Sequence, residues 1–154
     1  MITIAIDPDV AKSGVAILNP ADKSLKLRSL TFPELVDYFA ELRSTDCNVY
    51  VEAGWKINAN WHITRYDSKA SACAKGNSAG RNHEVGRKMV ELCQHWGIPV
   101  REVKPLKKHW QGPDNKITHQ ELQRILSAYG IELPKRTNQE ERDATLIALY
   151  KVVI

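Results

Sequence analysis

The stretch IAIDPDVAKSGVAIL, Ile4–Leu18, decides the reading of the fold. It belongs to a short apolar run, Ile2–Asp7, with isoleucine at alternate positions. The run breaks at a turn from Pro8 to Lys12 and resumes as a second apolar run, Ser13–Leu18. Two such runs joined by a short turn read as neighbouring strands. Asn19-Pro20-Ala21-Asp22 is a turn by composition. Beyond it, Leu25–Leu30 sets Leu25, Leu27 and Ser29 against Lys26, Arg28 and Leu30, the pattern of an edge strand with one wet face. The opening is therefore an antiparallel meander.

The chain then changes period. Thr31 with Glu34 three residues on is a capping box. Leu35, Phe39 and Leu42 follow at helical spacing, which predicts a helix over Phe32–Arg43. Asn48–Ala53, NVYVEA, reads as a fourth strand interrupted by Glu52. Residues 54–80 read as mostly irregular, and Ser68–Gly80 is small and polar, so it is either a functional loop or partly helical. Val85, Met89, Leu92 and Trp96 predict a helix over Arg81–Trp96 that stops at Gly97. Pro99–Val103 is a fifth strand and Pro105–Lys116 a basic loop. Helices are expected at Thr118–Tyr129 and Asn138–Tyr150. The order β-β-β-α-β-α-β-α-α describes an α/β fold with a five-stranded mixed sheet flanked by helices. In that layout the first and fourth strands lie side by side at the centre. No repeat, coiled coil or linker interrupts the chain, so residues 1–154 are taken as a single domain.

The length of 154 residues, with 43% hydrophobic and 26% charged residues, suits a globular domain and excludes a collagen-like or wholly disordered chain. No window approaches the roughly 20 apolar residues of a membrane helix. The start MITIAIDPD lacks the basic region of a secretory signal. Cys47, Cys73 and Cys93 form no CxxC, so reduced thiols and a cytoplasmic setting, in a bacterial cell or a phage-infected host, are expected. The net charge of +4 hides an asymmetry: residues 54–116 hold 12 Lys/Arg against 5 Asp/Glu, and all four tryptophans, Trp55, Trp61, Trp96 and Trp110. Cations and rings together are what a nucleic-acid surface needs, although a solvated basic face over core tryptophans gives the same composition.

Four acids stand where burial is costly without a compensating cation. Asp7 ends an apolar strand, Glu52 interrupts another, and Glu140 and Asp143 share one helix face at i, i+3. Taken singly, each has an ordinary reading as a turn former, a strand-end charge or a solvated helix start. Together, if the first and fourth strands pair and the last helix packs at their ends, they would form an acidic cluster. Like charges that close cannot all stay ionised without a metal. Carboxylates with no His or Cys partner suit Mg²⁺, with Mn²⁺ as a substitute. Two such ions about 4 Å apart can hydrolyse a phosphodiester.

Five pieces of the chain resemble the RuvC-type Holliday junction resolvases of the RNase H-like superfamily. They are IAIDPDVAKSGVAIL (Ile4–Leu18), VYVEAGW (Val49–Trp55), GRNHEVGRKMVELC (Gly80–Cys93), VREVKPLKKHW (Val100–Trp110) and EERDATLIALY (Glu140–Tyr150). They follow one another in order along nearly the whole chain, from Ile4 to Tyr150. The resemblance implies an RNase H-like fold with an acidic Mg²⁺ site. Asp7 matches the first-strand aspartate, Glu52 the fourth-strand glutamate and Asp143 the last-helix aspartate, with Glu140 at a position that commonly carries an acid or a histidine. It further implies that Trp55 stacks at the open centre of a junction, or else packs in the core. Lys104, Lys107 and Lys108 would position phosphate, Lys107 reaching furthest into the site. Arg81, Asn82, Arg87 and Lys88 would begin a helix whose N-terminus binds phosphate, and Lys12 completes the candidate DNA contacts. Asp9 departs from the family, which usually has glycine there; it either joins the metal site or caps the turn. The stretch between Glu52 and Arg81, with Trp61, Arg65, Lys69 and Lys75, also departs from the pattern, and DNA-shape specificity would reside there.

The expected activity is that of a metal-dependent, structure-selective DNA endonuclease acting on branched DNA. Water would attack phosphorus in line to leave a 5′-phosphate and a 3′-hydroxyl. Two symmetric nicks need two sites, so a homodimer is expected, with Gly80–Cys93 as its surface by family analogy. A nuclease for RNA or RNA/DNA hybrid, or a pre-rRNA-processing relative, shares the superfamily. A catalytically silent nucleic-acid binder is the alternative of another class, and the retained acids argue against it. Sugar-kinase and actin-like ATPases need two such domains, more than 154 residues supply. The small size and diverged middle suit a phage or mobile-element enzyme.

Overall fold

The computed structural model describes residues 1–57 and 63–153. Trp61, one of the four tryptophans noted above, lies outside the described residues. The elements run β1 (Ile2–Asp7), β2 (Ser13–Asn19), β3 (Ser24–Leu30), α1 (Phe32–Leu42), β4 (Cys47–Glu52), α2 (Lys69–His95), β5 (Val100–Val103), α3 (His119–Ala128) and α4 (Gln139–Val153). Single 3-10 turns occur at Gly54–Lys56 and Pro113–Asn115. The five strands form one sheet in the order β3-β2-β1-β4-β5. The β1–β2 and β2–β3 pairs are antiparallel, and β1–β4 and β4–β5 are parallel. This is the mixed sheet expected from the sequence, with β1 and β4 adjacent at its centre and β3 on its edge.

Each face of the sheet carries its own core, as the period-2 alternation of strand side chains requires. Ile4, Ile6, Val15, Val49 and Val51 pack with Leu35, Phe39, Met89 and Cys93 of α1 and α2. Ala5, Ala16 and Leu18 face the other way and pack with Leu122, Leu126, Ala144, Ile147 and Ala148 of α3 and α4. Alanines dominate where α4 crosses the central strands, so that helix lies close to the sheet. Parity also assigns the acids. Asp7 follows Ala5 by two residues and Glu52 follows Tyr50 by two, and both Ala5 and Tyr50 belong to the α3–α4 side. The two carboxylates therefore emerge on the face that α4 covers.

A capping box opens α1 at Thr31, as predicted, and a second opens α3 at Thr118. The Thr31 backbone N–H donates to Glu34 Oε2 at 2.8 Å, and the Thr118 N–H to Glu121 Oε2 at 3.0 Å. The helix expected at Arg81–Trp96 is much longer. It starts at Lys69 and absorbs the segment read as irregular. Ser68 caps it, its side chain accepting from the Ser71 N–H at 3.1 Å. Asp67 pins the first turns, accepting from Ser71 Oγ at 2.7 Å and Lys75 Nζ at 2.8 Å. No residue of α2 before Gly86 is buried, so this half has no apolar stripe for a 3.6-residue period to reveal. Its alanines are good helix formers, and Gly76 and Gly80 stand in open space. Among the described residues no helix is long and apolar enough to cross a membrane. The three cysteines are free, Cys47 and Cys93 buried and Cys73 exposed.

Candidate active site

The site forms where β1 and β4 end beneath the first turns of α4. Asp7 is the last residue of β1, and its ladder partner on β2 is Gly14. Gly14 faces α4. A Cβ there would lie 2.2 Å from both the carbonyl carbon and the oxygen of Glu140. Only glycine lets the helix backbone descend to this point, and the descent sets Glu140 and Asp143 over the strand ends. On the other side of β1, the parallel register pairs Ile6 with Val51, which places Glu52 beside Asp7.

The electrostatics follow from this convergence. The Asp7 carboxyl is raised well above its ordinary value, chiefly by burial, then by the neighbouring charges of Glu52, Asp143 and Glu140, with Lys108 opposing. Glu52 is also raised, by burial first and by Asp143, with Lys108 and Lys116 opposing. Asp143 is held on two sides. Its Oδ2 lies 3.8 Å from Lys108 Nζ, and its Oδ1 accepts from Gln139 Nε2 at 2.8 Å. Arg142 fixes Gln139 in turn, donating from a guanidinium nitrogen to Gln139 Oε1 at 2.8 Å. The same guanidinium donates to the carbonyls of Ile117 and Thr137, tying the start of α4 to the loops around α3. One lysine within ion-pairing distance does not offset four carboxylates, so the cluster has capacity for further positive charge. Its donors are hard carboxylate oxygens with no sulfur or imidazole among them, the set that suits Mg²⁺ or Mn²⁺. Among the described residues no three His, Cys, Asp or Glu side chains already converge into a metal cage. The donor set fits a divalent ion, and the side chains would close around it from β1, β4 and α4.

The basic residues distribute differently from the sequence reading. Lys108, rather than Lys107, faces the acids; Lys104 and Lys107 line a neighbouring open groove with Tyr150 and Lys151. Lys116, which the site residues read from the sequence did not include, adds a positive charge that opposes the raised value of Glu52. A basic loop has no periodicity to mark which of its lysines turns inward. Arg81, Asn82, Arg87 and Lys88 sit deep inside α2 and not at its N-terminus, because the helix begins at Lys69. They cannot offer free helix N–H groups to a phosphate. The Asn82 amide is engaged instead: its Oδ1 accepts from the Val10 N–H at 2.9 Å and its Nδ2 donates to Asp9 Oδ2 at 3.3 Å. Arg81, Arg87 and Lys88 are exposed, and Lys88 is ion-paired with Glu91 at 2.6 Å. Lys12 is exposed on the β1–β2 turn. Asp9 caps that turn, its Oδ1 accepting from the Ala11 N–H at 2.8 Å.

Trp55 is partly buried against the α1–α2 core. Its ring meets His83 edge-on, with centroids 6.4 Å apart, and carries the Arg87 guanidinium 5.7 Å from its centroid. A Cβ on Gly86 would reach Trp55 at 2.5 Å, so the indole lies directly on the α2 backbone. Trp96 and Trp110 are likewise partly buried against the two cores. Packing therefore accounts for part of every described tryptophan.

The fold is that of the RuvC structures. The T. thermophilus RuvC structure in complex with a Holliday junction substrate aligns over 97% of this chain and 91% of its own, with a TM-score of 0.56 and 16% identity. A second Thermus thermophilus RuvC structure aligns over 97% of this chain and 92% of its own, with a TM-score of 0.51 and 17% identity. No family model and no curated protein sequence matches the chain.

Proposed function

We propose that the chain is a divalent-metal-dependent DNA endonuclease selective for branched structures, with the four-way junction as its substrate. The observation that carries this reading is the placement of Asp7, Glu52, Glu140 and Asp143 at one end of a RuvC-type sheet. The likeness to a RuvC structure in complex with a junction supports the substrate class.

Asp7, Glu52, Glu140 and Asp143 would hold the metal, as a pair of Mg²⁺ ions or of Mn²⁺ in their place. Bound there, the metal supplies activation of water and stabilisation of charge in phosphodiester hydrolysis. The chain's own residues do the positioning. Lys108 approaches the phosphate from the side of Asp143, and Lys116 from the side of Glu52. Lys104 and Lys107 extend positive charge along the adjacent groove, where a strand backbone would run. The partly exposed edge of Trp55 offers a ring to an unstacked base, a contact worth about 1–3 kcal/mol. Lys12, Arg81 and Arg87 add exposed positive charge. Resolution by paired nicks requires two sites, so the active form is a homodimer, with the exposed side of Gly80–Cys93 as its surface.

A substrate panel tests this. A labelled four-way junction, a fork, a linear duplex and an RNA/DNA hybrid are incubated with Mg²⁺. Paired symmetric nicks confined to the junction are the expected result. Cleavage of the hybrid alone would move the activity to an RNase H-type reaction. Tight binding without cleavage of any substrate would make the chain a nucleic-acid binder.

A further inference from the structure

We infer that Asn82 is a positioning residue for the metal-binding end of β1, acting through Asp9. This inference rests on the metal-nuclease reading above. Asp7 is followed by a turn, Pro8 to Lys12, that must be held still for the carboxylate to keep its aim. Part of the holding is local. Asp9 Oδ1 accepts from the N–H groups of Ala11 at 2.8 Å and Lys12 at 3.4 Å, and the Asp9 N–H donates to the buried Ser13 Oγ at 3.0 Å. The rest comes from α2, distant in sequence. Asn82 spans the turn with both ends of its amide, accepting from Val10 N–H and donating to Asp9 Oδ2. One helical turn further on, the bare backbone of Gly86 receives Pro8, whose Cγ would stand 3.0 Å from a Cβ at that position. Asn82 and Gly86 lie on one face of α2 at i, i+4, and together they grip the residues immediately after Asp7.

The chemistry of the pair is specific. A carboxylate can only accept and the Val10 N–H can only donate, so the amide at position 82 has one orientation that satisfies both. Asp9 is also an extra negative charge two residues from a cluster already rich in carboxylates. The Asn82 N–H, with the Ala11 and Lys12 N–H groups, binds both of its oxygens. Asp9 is thereby assigned to the turn rather than to the metal, and α2 becomes the brace of Asp7. Asn82 touches neither the reacting atoms nor the DNA in this account. Supporting partners of metal ligands commonly change metal affinity by about 10–100-fold.

A charge swap tests the inference. Asn82→Asp sets two carboxylates against each other, and Asp9→Asn sets two amides against each other. The double variant D9N/N82D restores one donor and one acceptor with the polarity reversed. Mn²⁺ affinity is measured by calorimetry on all four proteins, with thermal melts to verify folding, and junction cleavage is then resolved into kcat and KM. Each single variant is expected to bind Mn²⁺ about 10-fold more weakly and to lose kcat at unchanged KM. The double variant should return to within about twofold of wild type, since the pairing is restored. Single variants with wild-type Mn²⁺ affinity, or a double variant as weak as the singles, would overturn the inference and leave the metal site standing. A rise in KM at constant kcat would overturn it in favour of a DNA contact. A wild-type chain that binds no Mn²⁺ would overturn the nuclease reading itself and the inference with it.

Discussion

Gly14 stands across the β1–β2 ladder from Asp7, and the space its missing side chain leaves is where the backbone of Glu140 rests. One pairing thus joins the first strand to the last helix and gathers acids that are more than 130 residues apart in the chain. Small residues continue the seam, with Ala5 and Ala16 on the sheet and Ala144 and Ala148 on α4. The site is a consequence of how closely that helix packs.

Gly14→Ala should therefore damage the site before it damages the fold. A methyl group cannot coexist with the Glu140 carbonyl carbon and oxygen at 2.2 Å, so the first turn of α4 must lift. Overpacking of this kind destabilises by about 1–3 kcal/mol. A chemical melt should show that loss, and cleavage should fall by more than the small unfolded fraction explains. A variant with full activity would show that α4 need not lie so close.

Without metal, the cluster should strain the protein as pH rises. Asp7 and Glu52 have folded-state values above those of the unfolded chain. Their contribution to stability is then present at acid pH, below the unfolded values, and is lost as pH rises through the folded values. Asp7→Asn removes part of that loss. At neutral pH in EDTA it should melt higher than wild type, by about 2–4 °C for each 1 kcal/mol relieved. Near the ordinary carboxylate value of about 4 the gap should close. Added Mg²⁺ should raise the melting temperature of wild type and not of the variant. Parallel melting curves across pH would contradict the cluster.

Lys108 and Lys107 should separate by phenotype. Lys108 pairs with Asp143 and lowers both Asp7 and Glu52. Lys108→Ala should shift the acid limb of the pH–rate profile upward and reduce kcat. Lys107→Ala should leave that limb in place and weaken junction binding, lowering the slope of log K against log salt by about 1. The opposite assignment would return Lys107 to the interior of the site.

The exposed half of α2 should open separately from the rest. Asp67 holds Thr64, Ser71 and Lys75, and no side chain before Gly86 is buried. Asp67→Ala should accelerate amide exchange over 69–80, while β1 and β4 stay protected and the global melt barely moves. Loss of protection throughout the sheet would show that this half supports the core.

Much of this was legible in the sequence for a physical reason. Strands that bury one face and helices with an apolar stripe declare their period, as Ile2–Asp7 and Thr31 with Leu35, Phe39 and Leu42 do. Acids inside such patterns, Asp7 and Glu52 above all, are visible as violations. The first half of α2 has no fully buried residue, so its Ser, Gly and Asn content imitated a loop. Asn82 was read as a phosphate contact because the start of its helix was misplaced. Lys108 and Lys116 could not be told from Lys107, since what turns each lysine is the three-dimensional path of an irregular loop. Asp143 was legible as an acid on α4, but its support by Gln139 and Arg142 depends on loops that only the folded chain brings together.

The proposed function stands or falls with these carboxylates as a metal-dependent nuclease site. The most direct test is cleavage of a labelled four-way junction by wild type and Asp7→Asn, with Mg²⁺ and with EDTA, beside a binding assay for both proteins. Paired nicks by wild type in Mg²⁺ only are the expected result. No cleavage is expected from the variant, with junction binding intact and a melting temperature in EDTA no lower than that of wild type. Cleavage that survives EDTA, or that survives Asp7→Asn, would contradict that function.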